Sequence, residues 1–152
     1  MMRHVVAVLM TIALVSVSLP VIDDVAADRS QQTLETELSQ IRNSAESLSH
    51  EEENARANTS NPRRIVELDF PDASFTTKPV ETARITPNHD AGTTRITYAV
   101  VGRTTSQMTV DAVVAGPDNG TVELGGDEKR RFVLELTHDS ANNRVVELRR
   151  YN

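Results

Sequence analysis

The 152-residue chain contains no cysteine and no tryptophan. Without cysteine, neither a disulfide framework nor a thiolate metal site can form, and the absence points to neither redox compartment. Two tyrosines and three phenylalanines are the only aromatic residues, so a core has to be built almost wholly from aliphatic side chains. Lysine is nearly missing as well: Lys78 and Lys129 are the only two, and every other cation is arginine. No basic patch stands out against a net charge of −6, which argues against a nucleic-acid partner, because phosphate binding rests on concentrated Lys and Arg. Arginine with abundant Asp, Glu and Thr suits a solvated acidic surface in a high-salt setting. Codon bias from a GC-rich genome would give the same composition.

The motifs of common catalysts are also missing. The sequence holds no glycine-rich phosphate loop before a helix, no His-Glu-x-x-His and no serine in a nucleophile-elbow context. We therefore read it as non-enzymatic, with no cofactor, metal or catalytic residue expected. Its length allows one domain plus an appendage, since a single core usually takes about 100–150 residues.

What is present begins with an apolar run. Arg3 and His4 precede Val5 to Ile22, which carries no charge and includes Val5, Val8, Leu9, Ile12, Leu14 and Leu19. One reading is a cleaved signal peptide, with Val25-Ala26-Ala27 supplying small residues before Asp28. The other is a retained anchor at the short edge of the roughly 17–25 residues that cross a hydrocarbon core. In that case Arg3 stays inside and Asp23-Asp24 mark the outer surface.

The following segment favours the anchor. Leu34, Leu38, Ile41, Ala45 and Leu48 are spaced four and three apart, which sets all five on one helical stripe. Neither Pro nor Gly interrupts 28–38, so one helix is expected to run from membrane to solvent, with Pro20 kinking it or starting a second. The stripe is expected to pack on the chain's own β domain. A coiled-coil seam is the alternative, although only about two heptads match where three to four are wanted.

Ser49 to Pro62 is polar and ends in turn formers, as a linker does. His50 beside Glu51-Glu-Glu53 reads as a solvated charge run. From Arg63 the period changes to two. Val66, Leu68 and Phe70 alternate with Glu67 and Asp69, and Pro71 ends the strand. Further strands are expected over 80–86, 94–101, 107–114 and 122–124, with 87–92 as a loop. Phe132, Leu134 and Leu136 against Val146 and Leu148 give the clearest hairpin.

The expected fold is α+β: a long N-terminal helix, membrane anchor continuing into an amphipathic helix, followed by an antiparallel β-sheet or small β-sandwich. The segments are 1–22 (membrane anchor or signal), 23–50 (amphipathic helix), 51–62 (polar linker) and 63–152 (antiparallel β domain). His89 and His138 fall in expected loop tips beside Asp90 and Asp139, the default reading being surface residues. Asn58-Thr-Ser60 and Asn119-Gly-Thr121 are glycosylation sequons, relevant only to an exported domain.

An apolar helix that continues as an amphipathic helix and leads into an antiparallel β domain resembles the layout of type IV pilins. The β half, with Arg63-Arg-Ile-Val-Glu-Leu-Asp-Phe-Pro71, Phe132-Val-Leu-Glu-Leu136 and Arg144-Val-Val-Glu-Leu148, resembles an uncharacterised family of small exported, pilus-associated haloarchaeal proteins. Met1-Met-Arg-His4 lacks the glycine of a prepilin processing site, and the apolar run lacks the glutamate usual near a mature pilin N-terminus. The resemblance therefore implies a membrane-held accessory protein more than a major filament subunit. Its partners would be membrane lipid through the helix and proteins of an envelope or pilus assembly. The alternatives are a freely secreted β-sandwich binding module with a cleaved signal, and a hydrolytic β enzyme using His89, Asp90, His138 or Asp139.

Overall fold

A computed structural model describes residues 2–51, 61–125 and 129–151, with side chains there except at 2–4, 14–22 and 51. Helix α1 spans Met2–Glu51 and runs through Pro20 as one element. Hydroxyls inside it bond back to the preceding turn: Thr33 to the Arg29 carbonyl at 3.0 Å, Thr36 to Gln32 at 2.9 Å and Ser39 to Glu35 at 2.8 Å. These exposed hydroxyls thus find their acceptors within the helix itself.

Eight strands follow among the described residues: β1 (Arg63–Leu68), β2 (Val80–Asn88), β3 (Thr93–Val100), β4 (Ser106–Val110), β5 (Val114–Ala115), β6 (Val122–Glu123), β7 (Arg130–His138) and β8 (Arg144–Arg150). They form two four-stranded sheets, ordered β1-β7-β8-β5 and β4-β3-β2-β6. The fold is mixed α+β and mostly antiparallel. The exception is β5, which pairs parallel to β8 with Val114 opposite Val146.

Period-two patterning builds these sheets directly. Along β7, Phe132, Leu134 and Leu136 are buried, and on β8 so are Val146 and Leu148. The β7–β8 register pairs Leu134 with Leu148 and Leu136 with Val146, so these residues share one face, while Val145 is buried separately with Val113 and Ala115. Inner faces of both sheets and the stripe Leu34, Leu38, Ile41, Ala45 and Leu48 belong to one core cluster. Helix α1 touches β1, β7 and β8 of the first sheet and β3 and β4 of the second. It closes the core along the side where β1 and β4 are sheet edges.

Two strand boundaries depart from the sequence pattern. The expected strand over 107–114 is two strands in different sheets, because the chain crosses over at Asp111–Val113. Thr94 holds that crossing: its buried hydroxyl donates to the Ala112 carbonyl at 2.8 Å and accepts from the Val114 amide at 2.7 Å. The expected loop at 87–92 is shorter, since Pro87 and Asn88 continue β2 opposite Thr94 and Thr93. Proline is tolerated there because β6 pairs with β2 only at Arg84 and Ile85, leaving Pro87 bonded on one side.

Candidate functional site at the helix junction

Between Ala13 and Asp23 the helix passes from one regime to another. Val5, Val6, Val8, Leu9, Met10 and Ile12 are 57–67% exposed. Leu14 and Leu19 lie outside the described side chains. From Ala26 the helix is seated on the β domain, with Ala26 and Ala27 buried at 4% and 3% and Ser30 fully buried. The packed stripe therefore begins a full heptad before Leu34. Its first members are small or polar, which is why a hydrophobic period does not reveal them.

The polar residues flanking the stripe are as informative as the stripe itself. Ser30 Oγ accepts from the Lys78 amide at 2.8 Å, and Gln31 Oε1 from the Val100 amide at 3.1 Å. Glu37 Oε2 accepts from the Asp69 amide at 3.0 Å, and Glu46 Oε1 from the Asp111 amide at 3.1 Å. These donors lie at strand ends and loops where no neighbouring strand takes them, so the helix side chains supply what a further strand would otherwise offer. Gln31 also donates to Ser106 Oγ at 3.1 Å, and Arg64 donates to Ser47 Oγ at 2.9 Å.

An ionic collar sits where the helix leaves the domain. Lys78 Nζ meets Asp23 at 2.8 Å. Arg103 Nη2, from the β3–β4 turn, meets Asp28 at 2.6 Å and donates to the Asp24 carbonyl at 2.8 Å. The aspartates are mostly exposed, so each pair contributes little stability, about 0–1 kcal/mol. Their effect is directional: two separate loops of the β domain grip the helix beside its apolar end.

The far end of the domain carries the candidate histidines and aspartates. His89 lies in the β2–β3 turn, and its Nε2 is 3.3 Å from the Asn119 carbonyl. Asp139 opens the β7–β8 turn and accepts from the Ala141 amide at 2.9 Å, the Asn143 amide at 2.8 Å and Asn143 Nδ2 at 3.2 Å. The Asn143 amide, helped by the Asn143 side chain, the Ala141 amide and the positive field of His89, holds the Asp139 carboxyl below its ordinary value against a desolvation cost. Its acceptor capacity is spent on building the turn. His138 is exposed at the end of β7, opposite Arg144. The structure thus brings His89 near Asp139, while no group of three or more His, Asp or Glu able to hold a metal occurs among the described residues.

Of the two sequons, Asn119 lies exposed in the β5–β6 turn with a left-handed backbone (φ 56°), and Asn58 is outside the described residues. In the core, burial followed by the nearby Glu35 carboxylate raises the Tyr98 hydroxyl above its ordinary value.

A helix that closes a pair of four-stranded sheets and then extends beyond them with exposed aliphatic side chains defines a helix-capped α+β domain. The chain belongs to a family described as a domain of unknown function, DUF7311, which matches residues 1–151. Neither a curated protein nor a solved structure matches it.

Proposed function

We propose that this chain is a non-enzymatic, membrane-anchored, outward-facing protein of pilin-like layout, serving as an accessory component of a surface pilus or secretion system. The observation that carries the reading is the burial of Ala26 and Ala27. A signal peptidase cutting before Asp28 would remove both from the interface, together with the Asp23–Lys78 pair and the Asp24 carbonyl held by Arg103. A discarded leader has no reason to be packed into the domain it leaves.

The apolar half of the helix supports the same reading. Eighteen residues from Val5 to Ile22 span about 27 Å as a helix, close to the ~30 Å of a hydrocarbon core. Thr11 donates to the Ala7 carbonyl at 2.9 Å, so its hydroxyl would enter lipid already bonded. Among the described residues no helix is long and apolar enough to cross a membrane.

The test is the intact mass of the protein from native membranes and from medium. A full-length species in the membrane fraction supports the anchor. A species beginning at Asp28 in the medium overturns it in favour of a secreted β module, which would keep the stripe from Ser30 to Leu48 and the Asp28–Arg103 pair.

A further inference from the structure

The outer face of the second sheet carries a row of hydroxyls around one arginine. Antiparallel register sets Thr86 of β2 opposite Arg95 of β3, and Arg95 opposite Thr109 of β4. All three are exposed. The row forms the floor of a groove of about 520 Å³, closed at the turn end by Asn88, His89, Asp90 and Thr93. That size falls within the range of small-molecule sites, about 300–1,000 Å³.

Several arginines on the two sheets are neutralised by a neighbouring carboxylate. Arg84, in the adjacent row of the same sheet, meets Glu123 at 2.6 Å. On the other sheet, Arg131 meets Glu67 at 3.0 Å and Arg149 meets Glu147 at 2.5 Å. A second hollow, lined by Glu67, Lys129, Arg131 and Tyr151, is neutralised in the same way, with Lys129 bound to Asp69 at 3.0 Å. Arg95 forms no such pair among the described residues, although acids outnumber bases 22 to 16. Its cross-strand neighbours are threonines, whose hydroxyls donate or accept as a ligand requires.

We propose that this groove binds an acidic glycan, with Arg95 taking a carboxylate or sulfate oxyanion, Thr86, Thr93, Thr109 and Asn88 taking sugar hydroxyls, and the Asp90 carboxylate accepting from a sugar hydroxyl away from the anionic group. A guanidinium is suited to planar bidentate recognition of such anions. The hydroxyl and amide lining matches a polyhydroxylated chain better than an acidic peptide, whose apolar side chains would meet only Pro87. No aromatic ring lines the groove for a sugar to stack on, so affinity rests on charge and hydrogen bonds and falls with salt. The site stands whether or not the N-terminal helix is retained.

The experiment is a titration of the full-length, detergent-solubilised protein, followed by amide chemical shifts, with oligogalacturonate, the matching neutral galactose oligomer and inorganic sulfate. Oligogalacturonate is expected to bind saturably and to shift the amides of Thr86, Arg95 and Thr109, with the neutral oligomer and sulfate at least tenfold weaker. Arg95→Gln should weaken it at least tenfold and Thr109→Val several-fold. Both sites are exposed, so both variants should keep wild-type spectra elsewhere. Arg131→Gln, on the other sheet, should bind as wild type. Absence of saturable binding, equal binding to Arg95→Gln, or equal affinity for sulfate alone each overturns the assignment.

Discussion

The two halves of helix α1 are continuous in backbone and opposite in surroundings. From Val5 to Ala13 every described side chain is exposed, although most are aliphatic. From Ala26 to Leu48 the aliphatic residues are buried and the polar ones at the edges of the stripe bind loop and strand amides. Exposed aliphatic side chains cost free energy in water, roughly 1.5–3 kcal/mol for each large one left unburied. The first half therefore leaves unburied, within this domain, the kind of apolar surface that the second half contributes to the core. The second half is part of the domain's core.

The largest expected effect comes from cutting each half in the same way. Leu38 is fully buried among both sheets, and Leu38→Ala should destabilise the domain by roughly 2–5 kcal/mol in denaturant unfolding. Leu9→Ala, at a residue 61% exposed, should leave domain unfolding unchanged within about 0.5 kcal/mol. Equal losses from the two would end the distinction between the halves.

A smaller effect tests how far toward the N-terminus the packed half begins. Ser30→Ala removes the acceptor of the Lys78 amide at a fully buried position. It should cost roughly 1–3 kcal/mol, the range for a buried group left without its partner. A loss near zero would mean that the helix is seated only from Leu34 onward. Smaller again, Lys78→Ala and Arg103→Ala should each change stability by about 0–1 kcal/mol. Site-directed spin labels at Val8 and on the β domain should nevertheless report a wider spread of helix orientations in these variants. An unchanged distance distribution would deny the collar its directional role.

How much of this was legible in the sequence depended on whether a signal was periodic. Leu34 to Leu48, spaced four and three, and Phe132 to Leu136 facing Val146 and Leu148 are apolar repeats, and each is a packed face in the structure. Ala26, Ala27 and Ser30 share the helical stripe but are small or polar, so hydropathy passes over them. The strand expected over 107–114 alternates correctly throughout. Its division between two sheets follows from the Thr94 hydroxyl, a contact made across 18 and 20 residues. The parallel β5–β8 pair spans only two residues and has no periodic signature. The Arg95 groove depended on register: Thr86, Arg95 and Thr109 are unremarkable until the hairpins set them side by side. Acceptors such as Glu37 and Glu46 have no periodic signature either, because the amide each one caps belongs to a distant strand or loop.

Acid should separate the two halves by the gentlest means. Val5 to Ile22 contains no titratable side chain, so lowering the pH leaves that segment's charge unaltered. The packed half ends beside the β7–β8 turn, where Arg144 donates to the Ser49 carbonyl at 3.0 Å and Asp139 ties the turn together. Because the folded state holds the Asp139 carboxyl below its ordinary value, the unfolded chain binds its proton first as pH falls. The stabilisation from Asp139 is therefore fully present above about pH 4 and is lost as pH drops through the depressed folded value. Thermal unfolding of wild type and Asp139→Asn across this window should show the variant less stable at neutral pH, with the two curves converging as the pH falls through the depressed folded value. A gap that stays constant with pH would mean that the turn is held by its backbone geometry, including the left-handed Asn142, and not by the ionised carboxylate.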